Sequence, residues 1–276
     1  MPLTYLFAPA HESRKVTHAI ASGSDAVILD LEDSVPDDQK DTARRMVREW
    51  IGTAPQPGEK EIWVRVNAGA SALAADIAAI DWSRVTGAVV PKSERPEPLE
   101  HLRAAGARRL LPLIESIAGL DGLARLAGAG GIERVAIGTW DLMLDLRLLT
   151  VADPDESELI WRLRGDLAIA SRRLGLRPPV DGIYARLEDE AGLRSACERA
   201  LRFGYAGKLL IHPRQIGIAQ SVFAAREEDL KWAREVIAAF QRANVEGLGA
   251  IRLKDQMHDA PMLERARAIL KGEASR

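Results

Sequence analysis

Short apolar runs rich in Val, Ile and Leu alternate along this chain with amphipathic stretches of helical period. The runs Leu3–Ala8, Ala26–Leu31, Glu61–Asn67, Gly87–Val90, Arg109–Ile114, Val135–Ile137, Pro179–Asp181 and Lys208–Ile211 predict strands. Near-continuous apolarity is what a parallel strand needs when helices cover both faces of its sheet. Helices are predicted near Ser13–Ser22, Asp38–Trp50, Ala70–Ile80, Glu97–Ala105, Ala118–Ala127, Glu156–Leu174, Asp189–Phe203, Pro213–Ala224 and Glu228–Arg242. Eight strand–helix units in regular succession predict an α/β fold closed into a (β/α)8 TIM barrel. An open doubly wound sheet is the rival. Its dinucleotide-binding form would need GxGxxG after the first strand, where this chain reads PAHES.

Residues 1–243 account for the barrel, and residues 244–276 form a C-terminal extension. The extension holds a Gly-containing stretch, GLGAIRLKDQMHDAP, and then a short helix, MLERARAIL. A closed barrel does not need it, so it is expected to cover a barrel mouth or pack on a neighbouring subunit.

Composition narrows the function without naming it. The chain has 276 residues, 47% hydrophobic and 28% charged, with a formal net charge of −2. That balance gives no broad attraction to nucleic acid or to an anionic membrane. Any anionic ligand must be met by a local cluster of Lys and Arg. The single cysteine, Cys197, lies on the inner face of a predicted helix and reads as a buried, inert thiol. Met1 leads straight into PLTYLFAP, with neither a basic start nor a long apolar run, so a cytoplasmic protein is expected.

In a (β/α)8 barrel, chemistry sits at the C-terminal ends of the strands. There this chain presents Asp30, Glu32 and Asp33, then Arg65 and Asn67, then Lys92 and Glu94. Glu115, Asp141, Asp181, Tyr184 and His212 follow. So many carboxylates at one mouth repel one another unless positive charge lies between them. Arg65 and Lys92 supply some of it and a hard divalent cation the rest. Mg²⁺ takes one or two carboxylates and completes its shell with water and substrate oxygens, a count that Glu115 and Asp141 fit. Arg65 stands in an apolar strand, where charge must be paired. It reads either as a clamp on a substrate carboxylate or carbonyl, or as the ion-pair partner of Glu32 or Asp33. His212 reads as a loop lock or a general base, and neither His11 nor His258 has the spacing of a zinc ligand.

The segments LFAPA, SGSDAVILDLEDSV, VRVNAG, VVPKSE, LIESIAGL, IGTWDLMLDL, VDGIY and FGYAGKLLIHPRQI, with the tail QMHDAPMLERARAIL, resemble the citrate lyase β-subunit-like family. That family is part of the acid aldolase and citrate lyase superfamily, and the resemblance runs over nearly the whole chain. It implies a trimeric or hexameric barrel that cleaves or forms a bond beside an acyl thioester on coenzyme A or acyl carrier protein. It further implies that Glu115 and Asp141 ligate Mg²⁺, that Arg65 binds the oxo-acid product, and that Glu32 and Asp33 order the metal shell. Asp259 in the tail would reach a neighbour's site as acid or base. Two positions depart from the pattern. Trp140 replaces an acid beside Asp141, and PAHES replaces a loop that usually carries an arginine, leaving Arg14 and Lys15 as the candidates for carrier phosphates. Two other readings are a Mg²⁺-dependent aldolase acting on free hydroxy-oxo acids and a barrel that binds an acyl carrier without turnover.

Overall fold

The computed structural model describes residues 1–53, 60–245, 250–253 and 256–274. Residues 247–249 and 254–255 of the Gly-containing stretch lie outside them. Residues Pro2–Phe223 form one compact unit, and Ala224–Arg276 with Met1 form another.

The larger unit is a parallel barrel. Its strands are β1 (Thr4–Pro9), β2 (Ala26–Asp30), β3 (Glu61–Arg65), β4 (Gly87–Val90), β5 (Leu110–Ile114), β6 (Ala136–Ile137) and β7 (Lys208–Leu210). They pair in the order β6-β5-β4-β3-β2-β1-β7. The seventh predicted strand is reduced to two bridging residues: Val180 pairs with Ala136, and Asp181 with Lys208, both parallel. Backbone bonds from Ile137 N to Val180 O and from Leu209 N to Asp181 O, 3.1 and 2.9 Å, carry the ladder across that seam.

Side chains reinforce this weak seam. Arg134, fully buried, donates to the carbonyls of Pro2, Pro178, Pro179 and Ala206 at 2.7–3.1 Å. Burial pushes its pKa down. Asp181 accepts from Arg164 at 2.8 Å and from Lys208 at 2.6 Å, and all three are buried. Replacing Arg134 by Ala would strip donors from four carbonyls at the closure. Chemical denaturation should then show a loss of about 3 kcal/mol, against under about 0.5 kcal/mol for an exposed Arg→Ala.

The helices of this unit are α1 (Ser13–Ala21), α2 (Lys40–Thr53), α3 (Ala70–Ala79), α4 (Glu97–Ala104), α5 (Ile117–Asp121), α6 (Leu123–Gly128), α7 (Thr139–Asp145), α8 (Glu158–Arg173), α9 (Glu190–Arg202) and α10 (Ile216–Phe223). Side-chain caps set several starts: Ser116 for α5, Ser157 for α8 and Asp189 for α9 each accept a backbone N–H three residues on. The predicted helix Ala118–Ala127 is broken at Gly122 into α5 and α6, and α7 stands where no helix is predicted.

Alternation along the strands sorts the interior. Tyr5, Ile28, Trp63, Val89, Leu111, Leu113, Ala136, Val180 and Leu209 meet in one buried cluster inside the barrel. Strand side chains alternate faces with period two, so the next inward positions are Phe7, Asp30, Arg65, Glu115, Gly138 and Ile211. Those six residues line one cavity at the C-terminal mouth.

In the smaller unit α11 (Glu227–Val245) packs on α12 (Ala260–Ala274), with a hairpin of β8 (Ile251–Leu253) and β9 (Gln256–His258). Ala233, Val236, Phe240, Ile251 and Ala266 form its core. The helix α11, counted on the barrel side of a 243/244 boundary in the sequence reading, belongs to this unit. Among the described residues no helix is long and apolar enough to cross a membrane.

Candidate active site

The mouth cavity has a volume of about 380 Å³. Its polar side is built on one pair of facing residues. Asp30 ends β2 and Arg65 ends β3, and the register sets them directly opposite each other. Arg65 donates Nε to Asp30 Oδ1 and Nη2 to Asp30 Oδ2, both at 2.6 Å, a bidentate bond between two buried charges. Asp30 also accepts from the Glu32 backbone at 2.9 Å and from the Ser34 hydroxyl at 2.5 Å, which shapes the LEDS loop. Burial opposes its ionisation, but the Arg65 bonds outweigh burial and hold the Asp30 carboxyl below its ordinary value.

The sequence reading offered Glu32 or Asp33 as the ion-pair partner of Arg65. They hold secondary places: Nη1 lies 2.9 Å from Glu32 Oε2 and 3.4 Å from Asp33 Oδ2. Glu32 Oε2 is in ionic contact but has no aligned hydrogen bond. The principal partner is Asp30, and Arg65 also lies over the Phe7 ring at 4.8 Å.

Lys92 links this cluster to Glu115. Its Nζ is 2.7 Å from Glu32 Oε1 and 3.5 Å from Asp33 Oδ1, and its backbone N–H donates to Glu115 Oε2 at 2.7 Å. Lys92 takes a left-handed backbone, φ 46°, which costs a non-glycine residue on the order of 1–2 kcal/mol. Burial works against its charge, yet Glu32, Asp33 and Glu115 hold the ammonium above its ordinary value. Burial pushes the Glu115 carboxyl up to about 7, and the charges of Asp141 and Glu32 add to that rise.

Asp141 stands half-buried in the first turn of α7, two residues past the Thr139 that starts the helix and beside Trp140. Gly138, just before α7, lets Glu115 approach. A Cβ there would come within 2.3 Å of Glu115 Cγ. Gly138→Ala should therefore displace the Glu115 carboxylate. With Glu115 as a metal ligand, the role proposed below, Mg²⁺ binding should weaken by at least ~10-fold. Calorimetric Mg²⁺ titration tests this, and unchanged affinity would count against that role.

The donor set suits a hard cation. Asp30, Glu32, Asp33, Glu115 and Asp141 give five carboxylates against the two bases Arg65 and Lys92, a formal charge of −3. All these donors are oxygens. Among the described residues no group of three or more His, Cys, Asp or Glu makes a closed cage. A pair of carboxylates with room for water is the arrangement Mg²⁺ accepts.

Other sequence candidates lie elsewhere. Arg14 and Lys15 are exposed on α1, with Lys15 paired to Glu12 at 2.7 Å, and neither lines the cavity. Asp181 points to the helix layer and Arg164, while Asn67 donates to Asp76 at 2.8 Å and Glu94 accepts from Ser116 at 2.6 Å. His212 caps the turn Pro213–Gln215, its Nδ1 accepting from Arg214 N, so its observed role is the loop lock. Cys197 is buried, which pushes its thiol up to about 12. Asp259 is exposed at the start of α12 in the smaller unit.

Residues 3–213 match the model of the HpcH/HpaI aldolase/citrate lyase family. Citrate lyase subunit beta of Escherichia coli is 32% identical over 281 residues, covering 96% of this chain and 91% of that one. A (3S)-malyl-CoA thioesterase of Cereibacter sphaeroides is 33% identical over 246 residues, covering 88% of this chain and 85% of that one. Among solved structures, CitE from Mycobacterium tuberculosis in complex with magnesium, acetoacetate and coenzyme A has a TM-score of 0.79 at 28% identity. It covers 97% of this chain and 96% of its own. With the family model matched over the whole barrel sheet and relatives above 30% identity across most of its length, the chain belongs to the HpcH/HpaI aldolase/citrate lyase family.

Proposed function

We propose that this chain is a Mg²⁺-dependent carbon–carbon lyase acting on a 3-hydroxyacyl thioester of the citramalyl, malyl or citryl type. It cleaves the thioester to an acyl thioester and an oxo acid, or forms it in reverse, on coenzyme A or acyl carrier protein. The observation that carries the reading is the acidic mouth cavity, which Glu115, Asp141 and the Asp30–Arg65 pair line together. Support also comes from the magnesium and coenzyme A named in the CitE complex.

Glu115 and Asp141 would hold the metal. When bound, it supplies Lewis acidity towards the hydroxyl and carboxylate oxygens. Arg65 is fixed by Asp30, yet a guanidinium carries five donors and keeps N–H capacity for a substrate carboxylate. Glu32 and Asp33 accept from water around the site and hold Lys92, so their geometry is set before substrate arrives. Arg14 and Lys15 serve the carrier's phosphates. Asp259 of one protomer handles the acyl-side proton in its neighbour's site, which makes the active form a homotrimer or hexamer; we place it in the cytoplasm.

A thioester panel tests the reading. With Mg²⁺, one of the three thioesters should yield acyl thioester and oxo acid in equal amounts, while the matching free acids stay intact. Cleavage of free hydroxy-oxo acids, with none of the thioesters turned over, would instead make the chain an aldolase. Mixing inactive Asp259→Ala and Arg65→Ala subunits should restore activity through hybrid sites. No recovery would remove Asp259 from a shared site.

A further inference from the structure

The mouth cavity is lined by two kinds of side chain. Asp30, Asp33, Arg65, Glu115 and Asp141 are charged. Phe7, Ile137, Trp140, Ile183, Leu209 and Ile211 give most of the hydrocarbon, and Phe7 lies against Arg65 itself. Arg65 is the one base among the described residues that line it, and Asp30, Glu32 and Asp33 already engage its Nε, Nη1 and Nη2. Lys92, the other base of the cluster, is held by Glu32. A bound divalent cation would bring the cluster from −3 to about −1, so a carboxylate is held only where it meets both that cation and Arg65, and no free base remains for a second.

A 2-oxo acid brings one carboxylate next to its carbonyl, and that carboxylate takes this seat. A second carboxylate on the same acid would find no free cation among the lining residues, only hydrocarbon, other acids and the hydroxyls of Ser34 and Thr139. Beside hydrocarbon it is an unpaired charge, beside the acids a like one, and a neutral hydroxyl offsets neither in full. A hydrocarbon substituent meets neither cost and removes apolar surface from water on both partners. The chain places hydrocarbon beside the seat: Ile137 ends β6 just before Gly138, and Trp140 directly precedes Asp141.

Resting on the lyase reading above, we propose that the oxo-acid half of the substrate is a monocarboxylic 2-oxo acid with a hydrocarbon substituent. The substituent packs against Ile137, Trp140 and Ile211, and dicarboxylic 2-oxo acids are rejected. This sets the chain apart from a lyase that releases oxaloacetate. The class of reaction that consumes its product is one that uses pyruvate or a longer-chain homologue.

Calorimetric binding in saturating Mg²⁺, without any thioester, tests this apart from turnover. The probes are matched pairs of equal chain length: 2-oxobutyrate against oxaloacetate, and 2-oxopentanoate against 2-oxoglutarate. The monocarboxylic member of each pair should bind at least ~10-fold more tightly. Lengthening pyruvate to 2-oxobutyrate should gain up to ~10-fold. Ile211 is 38% exposed, so Ile211→Arg is tolerated and adds a cation to the apolar wall. It should shrink the monocarboxylic preference by ~10-fold or more. Equal or tighter binding of the dicarboxylic acids by the unmodified protein would overturn the proposal and leave the lyase reading standing. An unchanged preference in Ile211→Arg would overturn the assignment to this wall. Failure of all four acids to bind would overturn both the seat and the reading it rests on.

Discussion

Arg65→Met is expected to remove activity and a large part of the stability together. Methionine keeps much of the side-chain length and the contact with Phe7, but it leaves Asp30, Glu32 and Asp33 without their shared cation. Asp30 is wholly buried, and breaking a buried pair by removing one partner costs about 3–5 kcal/mol. Catalysis would lose the group proposed to hold the substrate carboxylate, worth ~10²–10³ in kcat/KM. Guanidinium denaturation and steady-state kinetics on the same variant read the two effects. Adding Asp30→Asn should return part of the stability and none of the activity, because the orphaned charge goes while the substrate clamp stays lost. A stability change below about 1 kcal/mol would show that the pair is not a structural element of the mouth.

The second large effect is on the pH dependence of stability. Glu115 rises from the usual 4.5 to about 7 in the folded protein, chiefly through burial. Between those values the folded chain keeps a proton that the unfolded chain has released. Metal-free protein therefore loses stability as pH rises through that window, by roughly 3 kcal/mol once pH passes the folded value. With Glu115 as the proposed metal ligand, Mg²⁺ favours the ionised carboxylate, so saturating Mg²⁺ should cancel or reverse the slope. Thermal unfolding at pH 5.5 and pH 8, with chelator and with Mg²⁺, measures it. Glu115→Gln should flatten the chelated profile, and an unaltered slope in that variant would assign the effect to another group.

Much of this site follows from the two-residue period of the strands. Ile28 and Trp63 lie in the barrel core, so Asp30 and Arg65 continue the same inward rows, as Glu115 continues Leu113. That rule reaches the cavity from sequence alone. Which acid Arg65 grips depends on the register between β2 and β3, and one chain's sequence does not encode that register visibly. Hence the sequence points to Glu32 or Asp33 as the partner, and Asp30 emerges only from the structure. The seven-residue α7 that carries Asp141 is too short for helical period to declare it. The seventh strand was legible as an apolar run, but its reduction to Val180 and Asp181 was not, because Arg134, Arg164 and Lys208 hold it from distant positions. Asp181 was misread as a mouth residue for the same reason: it is one position out of phase with Val180. The grouping of α11 with the tail comes from side chains such as Phe240 and Ala266, distant in sequence, meeting in one core.

The most direct test of the account is Mg²⁺-dependent cleavage by the unmodified protein beside Glu115→Gln and Asp141→Asn, with a citramalyl-type thioester as substrate. The account predicts turnover that chelation abolishes and added Mg²⁺ restores. Both variants should bind Mg²⁺ at least ~10-fold more weakly and turn over ~10²–10³-fold more slowly. Turnover that persists under chelation, or that survives in either variant at the unmodified rate, would contradict it.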